Sequence, residues 1–538
     1  MNDIVIIGSG FGGSVLAARL SQARPGASIV LVERGDDPTG LYDPRSLGPT
    51  VNSDGNRFRN TLSPAYLANL VTLYTDPVVA FKPGKPSMQV LAGKGLGGGS
   101  NVYDGVSLRA PAEAFDQTRA GVRLWPAQYT RAALDPYYAT VEAQLSVQRL
   151  AWTDAGTPHW ALATKRDLVF AEGCRRIGAT AVPLKVADRN DANDGWWNEG
   201  QRKSGRTSLG QNYLALAKHG GVDMRTGCEV EMVAPATGGY VVSGHDRRDG
   251  TDFTLTARMV IVAGGAVGST GLLMRSRDQF TGTRVLDSQQ RLGQNLSANG
   301  DYGVTGIVGD DYPDSVDGMK GKPMSSFCPS FFPTEKFILI PFYAAPLYLS
   351  LGQFTTLLRP DNPAARGRNT CEVADGERDW GLAYKQRVAQ FGRRMLTMGC
   401  LCLDDGEGEV QLDANNRPTV RWLATTARTE SRWSAALDAM AKIYGALGGE
   451  MYLDGYRKDG TVHTSHPLGG CAMSDAASGV IDAHGEVRNN RNLFVLDGAA
   501  MPSALGVNPS LTIAAVAELV ADHLVRGAGT ESLASRLA

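Results

Sequence analysis

The chain opens on an unbroken apolar run, Ile4-Val5-Ile6-Ile7, that stops at Gly8. A run with no polar alternation predicts a strand buried on both faces, as in a parallel sheet. Residues 14–24 then carry helical spacing, and Ala27 to Glu33 form a second strand-like run, which is the order of a βαβ unit. The same pattern returns twice. Arg258 to Ala263 is a strand-like run ended by Gly264-Gly265 and followed by a helical stretch from Ser269 to Arg275. Leu493 to Leu496 leads into Asp497-Gly498, and Pro509 to Val525 supplies an apolar closing helix. Pieces so far apart predict one nucleotide-binding domain interrupted by insertions.

The intervening chain has another character. Phe337 to Phe342, Leu347 to Phe354 and Met395 to Leu403 predict strands. Glu409–Leu412 and Thr419–Trp422 predict a hairpin turning at Asn415-Asn416. Between 427 and 447, Trp433, Leu437, Met440, Ile443 and Leu447 recur every three or four residues, as on a helix with one buried face. The expected fold class is α/β: a discontinuous Rossmann-like domain with an inserted α+β substrate domain containing a large mixed or antiparallel sheet. Residues 1–110, 205–310 and 456–538 are assigned to the first, and residues 111–204 and 311–455 to the second.

Length supports the division, since 538 residues exceed what one core usually organises. With 54 basic and 55 acidic side chains, the net charge of -1 gives no global reason to bind nucleic acid or an anionic membrane. No apolar run reaches transmembrane length, so no integral membrane segment is expected. Met1-Asn2-Asp3 enters the first strand with no export signal before it, which predicts a cytoplasmic protein unless a leader has been removed. Seven cysteines are odd in number and sparse, as reduced thiols would be. Cys400 and Cys402 alternate on one predicted strand and read as core, and no metal site is expected.

Chemistry enters at Gly8-Ser9-Gly10-Phe11-Gly12-Gly13, a G-x-G-x-x-G run between strand and helix. Gly8 allows the tight turn, Gly10 lets a phosphate approach the backbone, and Gly13 allows the helix to pack closely on the strand. The amides that start the helix then face a pyrophosphate. Glu33, at the end of the second strand, is placed to accept from ribose hydroxyls and would repel a 2′-phosphate. A second cluster, Gly93-Lys94-Gly95-Leu96-Gly97-Gly98-Gly99-Ser100-Asn101, lets the chain lie flat against an extended ligand, which favours FAD over NAD.

Four blocks now stand in order: Gly8–Gly13 with Glu33, Gly95–Gly105, His466-Pro467-Leu468-Gly469-Gly470-Cys471, and Asp497-Gly498 through Gly506-Val507-Asn508-Pro509-Ser510. On these the chain resembles the glucose–methanol–choline (GMC) oxidoreductase superfamily, nearest its cholesterol oxidase branch. The resemblance implies an FAD-binding domain; the Gly8–Gly13 and Gly97–Gly99 clusters with no assigned flavin-linking residue predict FAD held non-covalently. Gly8, Gly10 and Gly13, with Phe11 in the same motif, and Glu33 would hold the adenosine side, with Val230 beside the adenine. Gly97, Gly98, Gly99, Ser100, Asn101 and Val102 would pass the pyrophosphate and flavin. Gly264 and Gly265 would approach the nucleotide, Asp497 and Gly498 the ribityl chain and pyrophosphate, and Asn508 and Pro509 the flavin ring.

Alcohol oxidation needs a hydride acceptor and a group that takes the hydroxyl proton. Flavin N5 is the first, and an imidazole, with an ordinary pKa of about 6.5, suits the second. The resemblance assigns the base to His466 and substrate-oxygen positioning to Asn508; from the residues alone, His466 also reads as a buried structural histidine and Asn508 as a helix cap. Two departures qualify the match. Tyr103 and Asp104 stand where familiar cholesterol oxidases carry asparagine and glycine. The strand region Phe337 to Pro346 offers no glutamate for double-bond isomerisation, and Glu335 precedes it. The aromatic and aliphatic tract from Phe331 to Phe354 reads first as sheet core; where it meets a cavity it favours a bulky apolar alcohol over a sugar, a hydrophobic small-molecule substrate that the resemblance makes sterol-like. Oxygen or another acceptor would reoxidise the cofactor, and the sequence leaves open oxidase against dehydrogenase, a redox-neutral reaction on the same fold, and monomer against homo-oligomer.

Overall fold

β1 (Asn2–Ile7) runs through the middle of a seven-stranded sheet, and Ile4, Val5 and Ile6 have no exposed surface. The computed structural model describes residues 1–38, 42, 71–75, 87–149, 153–154, 157–158, 164–188, 206–287, 289–309, 312, 316, 318, 322, 324–342, 382, 393–452, 461–476, 479–527 and 529–538. From β1 the chain turns into α1 (Phe11–Ala23) and returns as β2 (Ile29–Val32), parallel to β1. The helix begins three residues before its apolar spacing does. Gly12 and Gly13 lie in its first turn, because a Cβ on Gly12 would stand 1.7 Å from the Leu496 carbonyl oxygen. Glycines that read as turn residues are thus helical glycines that let α1 settle on the strand ends.

β3 (Val71–Thr75) and β4 (Ser87–Gly93) pair antiparallel, and β4 feeds the second glycine cluster. The main sheet resumes with β5 (Asp223–Arg225), parallel to β2, and the antiparallel meander β6 (Cys228–Ala236), β7 (Gly239–Asp246) and β8 (Asp252–Val262). β8 is longer than its apolar run. Its first half alternates buried and open positions beside β7, while Ala257 to Val262 is buried or nearly so and runs parallel to β1. α2 (Ala266–Ser276) follows it after two glycines.

β9 (Tyr302–Ile307), β10 (Phe337–Phe342) and β11 (Met395–Cys402) belong to a second, antiparallel sheet, with β11 between the other two. The hairpin of β12 (Gly408–Leu412) and β13 (Pro418–Trp422) turns with Asn416 at φ 57°. α3 (Ala427–Ala446) backs this sheet and buries Trp433, Leu437, Met440 and Ile443, the spaced residues that announce it. β14 (Glu450–Tyr452) adds a fourth strand beside β9, and β15 (Thr461–Thr464) runs parallel to β4. β16 (Leu493–Val495) then runs parallel to the end of β8, and α4 (Ser510–Arg526) closes the chain's core. The fold is α/β, with a Rossmann-like parallel core and a separate sheet. A strand expected over 347–354 lies outside the described residues.

Two consequences position the site. β1, β2, β8 and β16 are mutually parallel, so the turns at Gly8, Glu33, Gly264 and Asp497 all gather at one edge of the sheet. β4 and β15 are parallel neighbours, so the loops after Gly93 and Thr464 leave in the same direction. Among the described residues no helix is long and apolar enough to cross a membrane.

Candidate active site

The converging turns enclose a cavity of about 560 Å³. Gly8 forms its floor with φ +100°, and its amide donates to Val32 O at 2.8 Å. Glu33 is nearly buried and gathers this corner: one oxygen accepts from the Ser9 amide at 3.1 Å and the Ser9 hydroxyl at 2.6 Å, the other from the Gly35 amide at 3.0 Å. Ser9, which the sequence reading passed over, also accepts from the Gly97 amide at 3.0 Å. It therefore ties the first glycine turn to the second. Gly98, at φ +52°, is pressed so close that a Cβ would lie 2.8 Å from the Gly10 Cα.

The expected cofactor residues divide into two groups. Gly8, Gly10, Phe11, Glu33, Gly98, Gly99, Val102, Val230, Gly264, Gly265, Asp497, Gly498, Asn508 and Pro509 all line the one cavity, together with His466. Gly13, Gly97, Ser100 and Asn101 do not reach its wall and brace it from behind. The Ser100 hydroxyl donates to Gly97 O at 2.7 Å and accepts from the Leu209 amide, while the Asn101 amide group donates to Leu96 O at 3.0 Å. Their side chains are spent on holding the glycine loop in shape.

The wall fits a dinucleotide. Gly10, Gly99 and Gly265 each have open space where a Cβ would stand, so side chains there would take up cavity volume. α1 starts after Gly10 with no side chain capping it, and α2 starts after Gly265 in the same way. Helix N-termini of this kind favour anionic groups. Asp497 bridges the two sheet turns: it accepts from the Gly265 amide, the Ser269 hydroxyl and the Ala499 amide. Burial pushes its carboxyl above the ordinary carboxylate range, against the pull of those donors.

At the far part of the wall, Nε2 of His466 stands 3.1 Å from Nδ2 of Asn508. The two residues come from different loops, one after β15 and one before α4. Pro509 occupies the N-cap position of α4 without a side-chain cap bond, so Asn508 does not serve that helix as its cap. Its Oδ1 is buried without a hydrogen-bond partner, and Asn508 keeps only 9% of its surface exposed. His466 Nδ1 lies 2.9 Å from Oδ2 of Asp301, off the line of a well-aligned hydrogen bond. Asp301 escaped the sequence reading because a single acid before an apolar strand carries no motif.

Tyr103, Asp104, Met324 and Phe342 line the same cavity. Tyr103 stacks edge-on against Phe11 with ring centres 5.5 Å apart and donates its hydroxyl to Thr207 O, so the departure at this position adds a wall. Phe337 and Leu339 are fully buried core, while Phe342, at the end of the same strand, reaches the cavity. Glu335 is not on the wall; the acids there are Glu33, Asp104, Glu229, Asp301 and Asp497. Among the described residues no cluster of side chains could hold a metal ion.

A parallel-sheet nucleotide grip and a histidine–asparagine pair facing the same cavity define a dinucleotide-dependent oxidoreductase. Residues 2–298 and 405–517 match the amino- and carboxy-terminal parts of the GMC oxidoreductase family, and the chain belongs to that family. Its members are FAD-binding flavoproteins that oxidise alcohols and related substrates, and this chain is such an enzyme. It is 26% identical to a cholesterol oxidase of Mycobacterium tuberculosis, over 96% of this chain and 90% of that protein. It is equally, 26%, identical to 6'''-hydroxyparomomycin C oxidase of Streptomyces lividus, over 97% and 92%. The crystal structure of pyridoxine 4-oxidase from Mesorbium loti has a similar fold, with a TM-score of 0.64 at 18% identity over 97% of this chain and 98% of that one.

Proposed function

We propose that this enzyme oxidises a hydrophobic alcohol, with secondary steroid alcohols the first class, to the carbonyl compound, and that it holds FAD non-covalently in the cavity described above. The observation that carries the reading is the approach of His466 and Asn508 on the wall that begins at the Gly8–Gly12 turn. Bound FAD supplies the hydride acceptor. His466 takes the hydroxyl proton at Nε2 as the carbonyl forms, and Asn508 turns its amide towards the substrate oxygen. The pair also fixes the carbinol carbon in the geometry that hydride transfer demands.

Among the described residues Met324, Phe342 and Tyr103 give the cavity an apolar and aromatic surface, which suits a hydrophobic substrate. Among the described residues the glutamates on the wall are Glu33, at the first glycine turn, and Glu229, on β6, which favours oxidation without coupled isomerisation. An anaerobic spectrophotometric screen tests this: bound flavin should bleach with steroid or other bulky alcohols and not with small polyols. Rapid bleaching by a small polyol alone would refute the substrate class. Admitting air afterwards then sorts an oxidase, which recovers its yellow colour rapidly, from a dehydrogenase, which needs a quinone-like acceptor.

A further inference from the structure

Residues 297–301 bond to both loops that carry the reactive pair. Ser297 exchanges backbone hydrogen bonds with Leu468, on the loop that carries His466. Asn299 is fully buried; its amide donates to Val507 O at 2.8 Å, and its Oδ1 accepts from the amides of Leu505 and Gly506. That clamp holds the loop ending in Asn508. Asp301, two residues on, directs a single oxygen, Oδ2, at the other loop. It accepts from the Thr464 hydroxyl and the Ser465 amide, each at 3.3 Å, and stands 2.9 Å from His466 Nδ1. Thr464 in turn accepts from the His466 amide at 2.8 Å, so the backbone on which the ring sits is fixed as well.

Both faces of the imidazole give the same answer about its proton. Nδ1 faces a carboxylate oxygen, which can only accept; Nε2 faces the Asn508 amide nitrogen, which can only donate. A proton on Nε2 would set two lone pairs against each other at 2.9 Å on one side and two N–H groups against each other at 3.1 Å on the other. We infer that Asp301 is a positioning residue that holds His466 in the Nδ1–H tautomer and leaves Nε2 unprotonated beside Asn508. This rests on the proposed role of His466 as the base. When the alcohol oxidises, its hydroxyl proton passes to Nε2 and its carbinol hydride to the bound FAD. The imidazolium so formed lies against the Asp301 carboxylate, which offsets the new charge.

The test uses the FAD-loaded enzyme labelled with ¹⁵N in histidine, with the His466 signals identified by their loss in His466→Asn. The wild-type enzyme should show a protonated Nδ1 and an unprotonated Nε2. In Asp301→Ala Nδ1 loses its carboxylate acceptor, and the share of His466 protonated at Nε2 should rise. With a secondary steroid alcohol as probe, limiting flavin reduction in that variant should fall by about 10- to 100-fold while KM changes little, a smaller loss than for a fully buried triad acid because Asp301 is partly exposed. A wild-type Nε2–H tautomer overturns the inference even if the variant does not fold. Slower reduction with the tautomer unchanged overturns it too, as the loss would then be structural. If His466→Asn reduces at the wild-type rate, the assignment of the base falls, while the tautomer spectrum still decides the role of Asp301.

Discussion

At Gly10 the backbone is extended, with φ -69° and ψ -165°, a conformation open to any residue, and a Cβ would meet nothing within 4 Å. Packing therefore gives no reason for glycine there, and we propose that space for the ligand does. Gly98 is different, since both its φ of +52° and its closeness to Gly10 exclude a side chain from the folded protein itself. The contrast makes a prediction. Gly10→Val should fold, with far-ultraviolet circular dichroism like that of the wild-type apoprotein, yet be purified nearly free of flavin. A full complement of flavin in that variant would show that the Gly8–Gly12 turn does not face the cofactor. This residue-level logic was readable from the motif, because glycine spacing records where backbone must meet phosphate. The roles of Ser9, Ser100 and Asn101 were not, since a short polar side chain has many local partners and only the fold selects among them.

Elements were more legible than their ends. Predominantly apolar runs located β1, β10 and β11, and the three-to-four spacing located α3, because burial on one face or two writes itself directly into composition. The start of α1 and the first half of β8 were obscured for opposite reasons: glycine hides a helix start, and solvent-facing alternation hides a strand. The segment after β11 shows what lies beyond pattern altogether. Asp404 is fully buried there and accepts from the amides of Gly300 and Gly406, bracing the turn that delivers Asp301. Burial, with a further push from Glu407, raises its pKa to about 7. A carboxyl held above its unfolded value of about 3.9 stabilises the fold at low pH and loses that contribution as pH rises through the folded value. The thermal midpoint of the wild type should therefore gain on that of Asp404→Asn as pH falls from 8 to 5. A difference between the two that does not change with pH would contradict this assignment.

On the scale of the whole molecule, the parallel core is assembled from strands near residues 2–32, 223–262 and 493–495, and no one of them makes a complete site. The sequence shows these pieces because each repeats the strand–glycine–helix pattern. It does not show that β4 and β15 lie side by side, the pairing that sends the Gly93 loop and the His466 loop the same way. Nor does it show the hub at 297–301, which joins loops more than forty residues apart through hydrogen bonds rather than through a pattern. In the proposed function these separate parts meet to let His466 take a proton while an alcohol reduces the flavin. Stopped-flow reduction under anaerobic conditions by a secondary steroid alcohol, wild type against His466→Asn, tests it most directly. The variant should keep its flavin and reduce it on the order of 10²-fold more slowly or worse, the scale of a lost general base; reduction at the wild-type rate across pH would contradict the role of His466.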